Sequence, residues 1–264
     1  MSPMQPVCLI TGASAGIGAA LARVFAQNRH TLVLTARREA QLAALADQIA
    51  AEGLARPHVI AADLSAADGP ARLAQAIQAA GVEPSIVVNN AGFGLLGEAA
   101  DLDRAQQLAM IDLNIRALTD LSLRWLESIT RHRGGILNVA SIAGFLPGPG
   151  MAVYHASKAY VLSFTEALHG ELQGDGIRVC ALCPGPVETE FFDRAGIPHD
   201  YFPSFLARSA ERVAREGYDG FMAGHRVVVP GKPNRIMTLL PRLLPRGLMV
   251  AMTGWRQKRA NRRS

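Results

Sequence analysis

Short apolar segments rich in valine, isoleucine and leucine recur along the chain, and longer segments between them space their apolar residues as on one face of a helix. Uninterrupted apolar segments of this length are typical of strands that helices cover on both faces. The predicted strands are 6–10, 31–36, 58–62, 85–89, 135–140, 177–182 and 225–229. The predicted helices are 16–28, 39–51, 69–80, 103–131 and 152–173.

This alternation predicts parallel strands joined by right-handed crossovers. The expected architecture is an α/β, doubly wound Rossmann fold with a seven-stranded, mostly parallel sheet and helices on both faces. The 264 residues contain no internal repeat and no linker that would divide them. Because α/β domains often exceed ~200 residues, residues 1–264 are expected to form one domain.

The first predicted strand ends in a glycine-rich turn, TGASAGIG at 11–18, directly before the first predicted helix. Glycine permits a sharp turn and a close approach of a phosphate to the backbone, and the helix start offers unpaired N–H groups to an anion. The spacing G-x-x-x-G-x-G differs from the G-x-G-x-x-G of many dinucleotide-binding folds. A plain tight turn is therefore the alternative interpretation.

The second predicted strand ends at Ala36, where NAD-binding sheets usually carry a carboxylate for the adenosine ribose, and Arg37 and Arg38 follow. A carboxylate would repel a 2′-phosphate, whereas an arginine binds one through two N–H groups. The pair predicts NADP(H) rather than NAD(H), with two solvated arginines at a helix start as the alternative. Asp63, after the third strand, is placed either to meet the adenine or to cap the next helix.

Composition argues against several other classes of protein. No apolar run reaches the ~18 residues of a membrane span, and the N-terminal sequence MSPMQPVCLITG does not resemble a signal peptide. Cysteines are sparse: Cys8, Cys180 and Cys183. They predict free thiols in a reducing cytoplasm, and no metal site.

Charge is distributed unevenly along the chain, whose net charge is +5. Residues 226–264 contain ten Lys or Arg and no Asp or Glu, which leaves 17 basic and 22 acidic residues in 1–225. An acidic body argues against nucleic-acid binding. The basic, partly apolar C-terminal segment predicts either peripheral contact with an anionic membrane or docking on the body or on a second subunit.

Six motifs in order along the chain carry a family resemblance. They are TGASAGIG at 11–18, NNAG at 89–92, DLNIRA around Asn114, NVASIAG around Ser141, YHASK at 154–158 and PGPVET at 184–189. With these motifs the chain resembles the short-chain dehydrogenase/reductase family in its single-domain form, over about residues 6–190. The departures are small: Ala140 stands where the family often has a serine, and Pro186 and Glu188 fill variable positions.

The resemblance implies a role for each matching residue. Ser141 would hold a substrate carbonyl, and Tyr154 would be the general acid or base. Lys158 would bind the nicotinamide ribose and lower the tyrosine pKa, and Asn114 would hold a water in a proton relay. The expected cofactor contacts are Thr11, Gly12, Ser14, Ala15, Gly16, Ile17, Gly18, Arg37, Arg38, Asp63, Leu64, Asn90, Ala91, Gly92, Tyr154, Lys158, Pro184, Gly185, Val187 and Thr189. The expected parts of the chain are a cofactor-binding and catalytic core (1–189), a substrate lid (190–223), and a last strand with a basic extension (224–264).

The residues agree with this chemistry. A free tyrosine has a pKa near 10, and a nearby cation favours its phenolate. Tyr154 and Lys158 are four residues apart and share a helical face. Alone they would be a solvated surface pair; with Ser141, Asn114 and the phosphate turn they predict an NADP(H)-dependent oxidoreductase acting on a carbonyl or secondary alcohol. A non-catalytic NADP(H)-binding sensor or scaffold is the alternative.

Aromatic residues of the expected lid indicate the kind of substrate. They are Phe191, Phe192, Tyr201, Phe202 and Phe205. They predict an apolar pocket for a bulky or long-chain small molecule, or packing within the lid alone. His155 is expected to point away from Tyr154 on its helix. Relatives in the family commonly pair through two long helices, here 103–131 and 152–173, which predicts a homodimer or homotetramer.

Overall fold

The computed structural model describes residues 4–198, 201–245 and 247–251. Its strands are β1 (Gln5–Thr11), β2 (Leu32–Ala36), β3 (His58–Ala61), β4 (Val82–Asn89), β5 (Gly135–Val139), β6 (Arg178–Leu182) and β7 (Val227–Val228). They form one sheet in the order β3-β2-β1-β4-β5-β6-β7, and every neighbouring pair is parallel. The prediction of a doubly wound α/β fold is confirmed, and the last strand is shorter than predicted.

Helices cover both faces of this sheet. They are α1 (Gly16–Gln27), α2 (Glu39–Ala51), α3 (Gly69–Ala79), α4 (Arg104–Ile111), α5 (Leu118–Arg124), α6 (Leu126–Arg131), α7 (Ala152–Leu172), α8 (Glu190–Ala195), α9 (Ala210–Met222), α10 (Lys232–Met237) and α11 (Leu240–Leu243). Successive strand residues face opposite layers. Ile10 and Val88 pack with α1, α2 and α9, whereas Leu9 and Val87 pack with α3, α5 and α7.

The predicted single helix at 103–131 differs from the structure. After α4 the backbone becomes π-helical at Asp112–Ala117, and the helix is interrupted again at Trp125, between α5 and α6. A π-helical turn inserts one extra residue into a helix. Here it includes Asn114, whose buried side chain is hydrogen-bonded to residues outside the helix.

The expected lid at 190–223 also needs correction, because its second half belongs to the core. Helix α9 is amphipathic, and Val213, Ala214 and Phe221 are fully buried against the sheet in the same layer as α1. The described residues of the segment that reach the cavity described below are on α8 and, after it, Ile197, Tyr201, Phe202 and Leu206.

The C-terminal segment docks on the body as far as the structure describes it. Asn234, Thr238 and Met249 are buried. The basic cluster at 256–263 lies outside the described residues. Within the described ranges, none of the helices is long and apolar enough to cross a membrane.

Candidate active site

A cavity of about 750 Å³ opens where the strands end at their carboxyl edge. This is the edge of a doubly wound sheet where ligands bind. Of the expected site residues, all but Thr11, Gly18 and Asn114 line it, and those three are packed behind its wall. The expected residues in the lining are Gly12, Ser14, Ala15, Gly16, Ile17, Arg37, Arg38, Asp63, Leu64, Asn90, Ala91, Gly92, Ser141, Tyr154, Lys158, Pro184, Gly185, Val187 and Thr189.

The turn after β1 is fixed by hydrogen bonds to the end of β4. The Thr11 hydroxyl accepts from the N–H groups of Asn90 (3.0 Å) and Ala91 (2.9 Å), and the Asn90 amide donates to the Thr11 carbonyl (2.9 Å). Gly12 has a φ of +66°, and a Cβ on Gly18 would overlap the Gly12 carbonyl. The turn is therefore a tight cradle in front of α1, whose first N–H groups receive no side-chain cap. A phosphate-bearing cofactor fits this arrangement.

The arginines after β2 lie at the same end of the cavity. One Arg38 Nη donates to the Ser14 hydroxyl (3.1 Å) and to Glu190 of α8 (2.6 Å). The Asp63 carboxylate accepts from both the N–H (2.9 Å) and the hydroxyl (2.6 Å) of Ser65. Ser65, with a smaller effect from Arg37, holds the pKa of Asp63 below its usual value. Asp63 thus does not cap α3, which begins only at Gly69.

Three polar side chains converge at the other end of the cavity. Tyr154 and Lys158 project from the first turns of α7, and Ser141 follows β5 in extended conformation. The Ser141 hydroxyl accepts from the Ala143 N–H (3.1 Å) and donates to the Pro184 carbonyl (3.4 Å). The Lys158 ammonium donates to the Val139 carbonyl (2.8 Å) and lies 5.8 Å from the Tyr154 ring centroid. A hydroxyl, a phenol and an ammonium group are therefore brought together from two elements.

Burial dominates the titration of this group. It raises the pKa of Tyr154 to about 12, and the Ser141 hydroxyl acts in the opposite direction. Burial lowers the pKa of Lys158 to about 8. Burial of the phenol prevails in this arrangement, where the Lys158 ammonium is hydrogen-bonded to the Val139 carbonyl. The effect of Lys158 on the tyrosine pKa stays a prediction. Tyr154 is held protonated near neutral pH, which is the form that donates a proton.

The buried Lys158 ammonium predicts a pH-dependent stability. The unfolded lysine takes up its proton as the pH falls through 10.5, and the folded one only near 8. Above pH 10.5 the lysine is neutral in both states and its burial costs nothing. As the pH falls to about 8, only the unfolded state takes up the proton, so the fold is progressively destabilised. The unfolding free energy of the wild type, relative to Lys158→Met, should fall by about 3 kcal/mol across this window.

Urea unfolding of both proteins at a series of pH values measures this difference. The lost hydrogen bond to Val139 adds only a constant offset. Lys232→Met is the matched control, because Lys232 is exposed on α10, and its difference from wild type should not change with pH. Parallel pH profiles for wild type and Lys158→Met would refute the buried charge.

Asn114 fixes the wall behind the catalytic group. Its amide donates to the Phe93 carbonyl (2.9 Å) and to the Ser157 hydroxyl (3.1 Å), and its carbonyl accepts from the Phe93 N–H (3.1 Å). These bonds tie the π-helical turn to the segment after β4 and to α7. The structure thus gives Asn114 a positioning contact, and its water-holding role stays a prediction.

His155 lies nearer to the site than expected. It lines the cavity, and its Nδ1 is hydrogen-bonded to the Leu146 carbonyl (2.9 Å). The ring packs against Gly148 so closely that a Cβ there would overlap it. His155 therefore supports the loop between Ser141 and α7.

Other lining residues were not predicted from the sequence. Glu190 and Arg194 come from α8, and the Arg194 guanidinium stacks 4.3 Å from the centroid of the Phe93 ring. The C-terminal segment contributes Met237, Leu240 and Met249 to the apolar end. In the sequence, these three residues belong to apolar pairs interrupted by prolines. That pattern predicts that they are buried, but not which surface of the protein they pack against.

Comparison with known proteins identifies the family. Residues 6–197 match the family model described as short chain dehydrogenase. Sulfoacetaldehyde reductase 2 of Chromohalobacter salexigens is 39% identical over 191 residues, which cover 71% of this chain and 75% of that protein. Serine 3-dehydrogenase of Agrobacterium fabrum is 34% identical over 189 residues, or 71% and 74% of the two chains.

Solved structures agree over nearly the whole chain. A short-chain dehydrogenase from Sphingobium yanoikuyae in complex with NADPH is 34% identical with a TM-score of 0.79, covering 92% of this chain and 95% of that one. The bulky-bulky ketone specific alcohol dehydrogenase from Comamonas testosteroni is 28% identical with a TM-score of 0.74, covering 94% of each chain. The chain therefore belongs to the short-chain dehydrogenase family of oxidoreductases.

Proposed function

We propose that this protein is an NADP(H)-dependent oxidoreductase that interconverts a bulky, uncharged carbonyl compound and its secondary alcohol. The observation that carries this proposal is the cavity itself. One end holds a glycine turn and arginines, and the other holds Ser141, Tyr154 and Lys158 beside apolar side chains. A dinucleotide and a small apolar molecule can meet in such a cavity.

The protein's own groups provide the proton and the orientation. The substrate carbonyl oxygen accepts hydrogen bonds from the Ser141 hydroxyl and the Tyr154 phenol, and Tyr154 transfers its proton to that oxygen as negative charge develops there. Lys158, fixed by the Val139 carbonyl, favours the phenolate that remains. When bound, NADPH supplies the hydride for the carbonyl carbon.

Two observations support NADP(H) over NAD(H). Ala36 leaves the end of β2 without a carboxylate, and Arg37 and Arg38 line the cavity next to it. Arginine suits a 2′-phosphate because its planar N–H groups match phosphate oxygens. The Sphingobium yanoikuyae relative, 34% identical, was solved with NADPH.

The apolar end of the cavity supports the substrate class. Tyr154 packs at the edge of a cluster formed by Met151, Phe192, Ala195 and Ile197. None of these residues carries a positive charge. A sulfonate placed among them would lose its water without gaining a cation, so this end suits an uncharged substrate better than sulfoacetaldehyde. The Comamonas testosteroni relative is described as specific for bulky-bulky ketones, a substrate class that would suit the apolar lining of this cavity.

Consumption of NADPH with a panel of carbonyl compounds tests the proposal. Uncharged ketones with two bulky substituents should be reduced, whereas sulfoacetaldehyde should react at least about tenfold more slowly, since its sulfonate would lose water beside the apolar cluster at the catalytic end. Binding of NADPH without oxidation by any compound would favour the non-catalytic sensor or scaffold instead. Faster reaction with sulfoacetaldehyde would refute the apolar substrate class.

Two surfaces support proposals about partners. Helices α4, α5 and α7 expose four large apolar or aromatic side chains, Leu108, Ile111, Leu123 and Tyr160. This face would be covered in a homodimer or homotetramer. A monomeric mass by light scattering would contradict this proposal. Helix α10 exposes Lys232, Arg235 and Ile236, and Leu239 is exposed between α10 and α11. This face suits peripheral contact with an anionic membrane, and failure to sediment with anionic vesicles would exclude that contact.

A further inference from the structure

Arg194 of α8 lies over the middle of the cavity. Its guanidinium stacks on Phe93, 4.3 Å from the ring centroid. Gly92, directly before Phe93, borders the catalytic end of the cavity. A Cβ on Gly92 would be 3.0 Å from the Asn114 Oδ1 and 3.5 Å from the Lys158 Nζ. On its other side, Arg194 is close enough to Arg37 and Asp63 for their charges to act on its guanidinium. Arg194 therefore lies between the catalytic end and the arginine end.

Arg194 lies among other charged side chains of the cavity lining. Three guanidinium groups line this part of the cavity, those of Arg37, Arg38 and Arg194. Three carboxylates line it as well, those of Asp63, Glu190 and Asp193. Asp63 accepts hydrogen bonds from Ser65 and attracts Arg194, and Glu190 is paired with Arg38. Within the described part of the chain, Arg194 forms no ion pair with a carboxylate. Partial burial and the charge of Arg37 lower the pKa of Arg194, and Asp63 acts in the opposite direction. The guanidinium faces the cavity and can bind a phosphate through its N–H groups.

We propose that α8 recognises the phosphate charge of the cofactor through two residues with opposite effects, Arg194 binding the diphosphate and Glu190 competing for the 2′-phosphate site. This inference rests on the proposed function. The diphosphate joins the two halves of a dinucleotide, so it lies midway between the nicotinamide ribose and the adenosine. Arg194 holds that midway position and has N–H groups that match phosphate oxygens.

Glu190 acts on the neighbouring phosphate site. Its carboxylate lies 2.6 Å from the Arg38 guanidinium, which also contacts Ser14. A 2′-phosphate that binds Arg38 must either displace the Glu190 carboxylate or bind beside it, where the two negative charges repel each other. Both side chains are exposed, 43% for Arg38 and 62% for Glu190, so the pair is weak and readily exchanged. Glu190 therefore lowers the affinity for NADPH and not the affinity for NADH.

Calorimetric titration of NADPH and NADH into the wild type and four variants tests both residues. Arg194→Met should weaken the binding of both cofactors by a similar factor of about ten to a hundred, as expected for loss of one charge-assisted contact. Glu190→Gln should tighten NADPH binding about twofold to fivefold and leave NADH unchanged. Arg215→Met is the matched control, an exposed arginine on α9 outside the cavity, and should bind like wild type.

The outcomes separate this inference from the proposed function. If wild type binds neither cofactor, the proposed function fails. If wild type binds both and Arg194→Met is unchanged, or loses affinity for NADPH alone, the diphosphate assignment is overturned. Equal or weaker NADPH binding by Glu190→Gln overturns the competition. Arg194→Lys, which keeps the charge, should bind with intermediate affinity, and melting temperatures near wild type show that each variant is folded.

Discussion

Tyr154→Phe should lower kcat for ketone reduction by about 10² to 10⁴-fold, the range for loss of a positioned general acid. The variant keeps the ring that packs against Phe191 and the apolar cluster around it and loses only the hydroxyl. NADPH affinity should stay within about twofold, because the cofactor's charged groups are proposed to bind at the other end of the cavity. Steady-state turnover and calorimetry measure the two quantities separately.

Tyr160→Phe is the matched control on the same helix. The Tyr160 hydroxyl is hydrogen-bonded to Thr119 (3.0 Å) on the exposed side of the molecule, so its loss should leave kcat unchanged. Equal activity of Tyr154→Phe and wild type would mean that another group supplies the proton.

Arg38→Ala should raise the Kd for NADPH by about ten to a hundredfold and leave the Kd for NADH nearly unchanged. The guanidinium would make charge-assisted hydrogen bonds to the 2′-phosphate, each worth about 1.5–3 kcal/mol. The substitution also frees Glu190, which would then face the phosphate without a partner. The preference for NADPH should therefore be lost or reversed.

Arg56→Ala is the control for that measurement. Arg56 is exposed, pairs with Asp47 (2.9 Å) and does not line the cavity, so both affinities should match wild type. An equal loss of NADPH and NADH affinity in Arg38→Ala would place Arg38 at a group that both cofactors share, and would contradict the 2′-phosphate assignment.

The fold was predictable because its main signals are local. Strands buried on both faces need apolar residues at every position, and the segments around Ile10, Val88 and Leu137 have them. Helix α9 was not distinguished from the lid because the glycines and prolines before it suggested an irregular segment. The decision between lid and core depends on contact with α1, which lies nearly 200 residues earlier in the chain.

The site residues likewise divide into those that local sequence signals predict and those that depend on tertiary contacts. Tyr154 and Lys158 are adjacent on α7 by helical geometry alone, and motif order placed Ser141 near them. Arg194 and Met249 reach the cavity only through tertiary packing, which sequence spacing does not specify. The raised pKa of Tyr154 was not predicted, because it comes from burial of the phenol, which sequence spacing does not show.

Deuterium transfer tests the central claim most directly. Wild-type protein is incubated with a reactive bulky ketone and NADPH that carries deuterium at the transferred position of its nicotinamide, and the alcohol is analysed by mass spectrometry. The account predicts deuterium on the carbinol carbon of every product molecule and negligible product with Tyr154→Phe. Alcohol formed without deuterium, or NADPH consumed without any alcohol, would contradict hydride transfer to a carbonyl held by Ser141 and Tyr154.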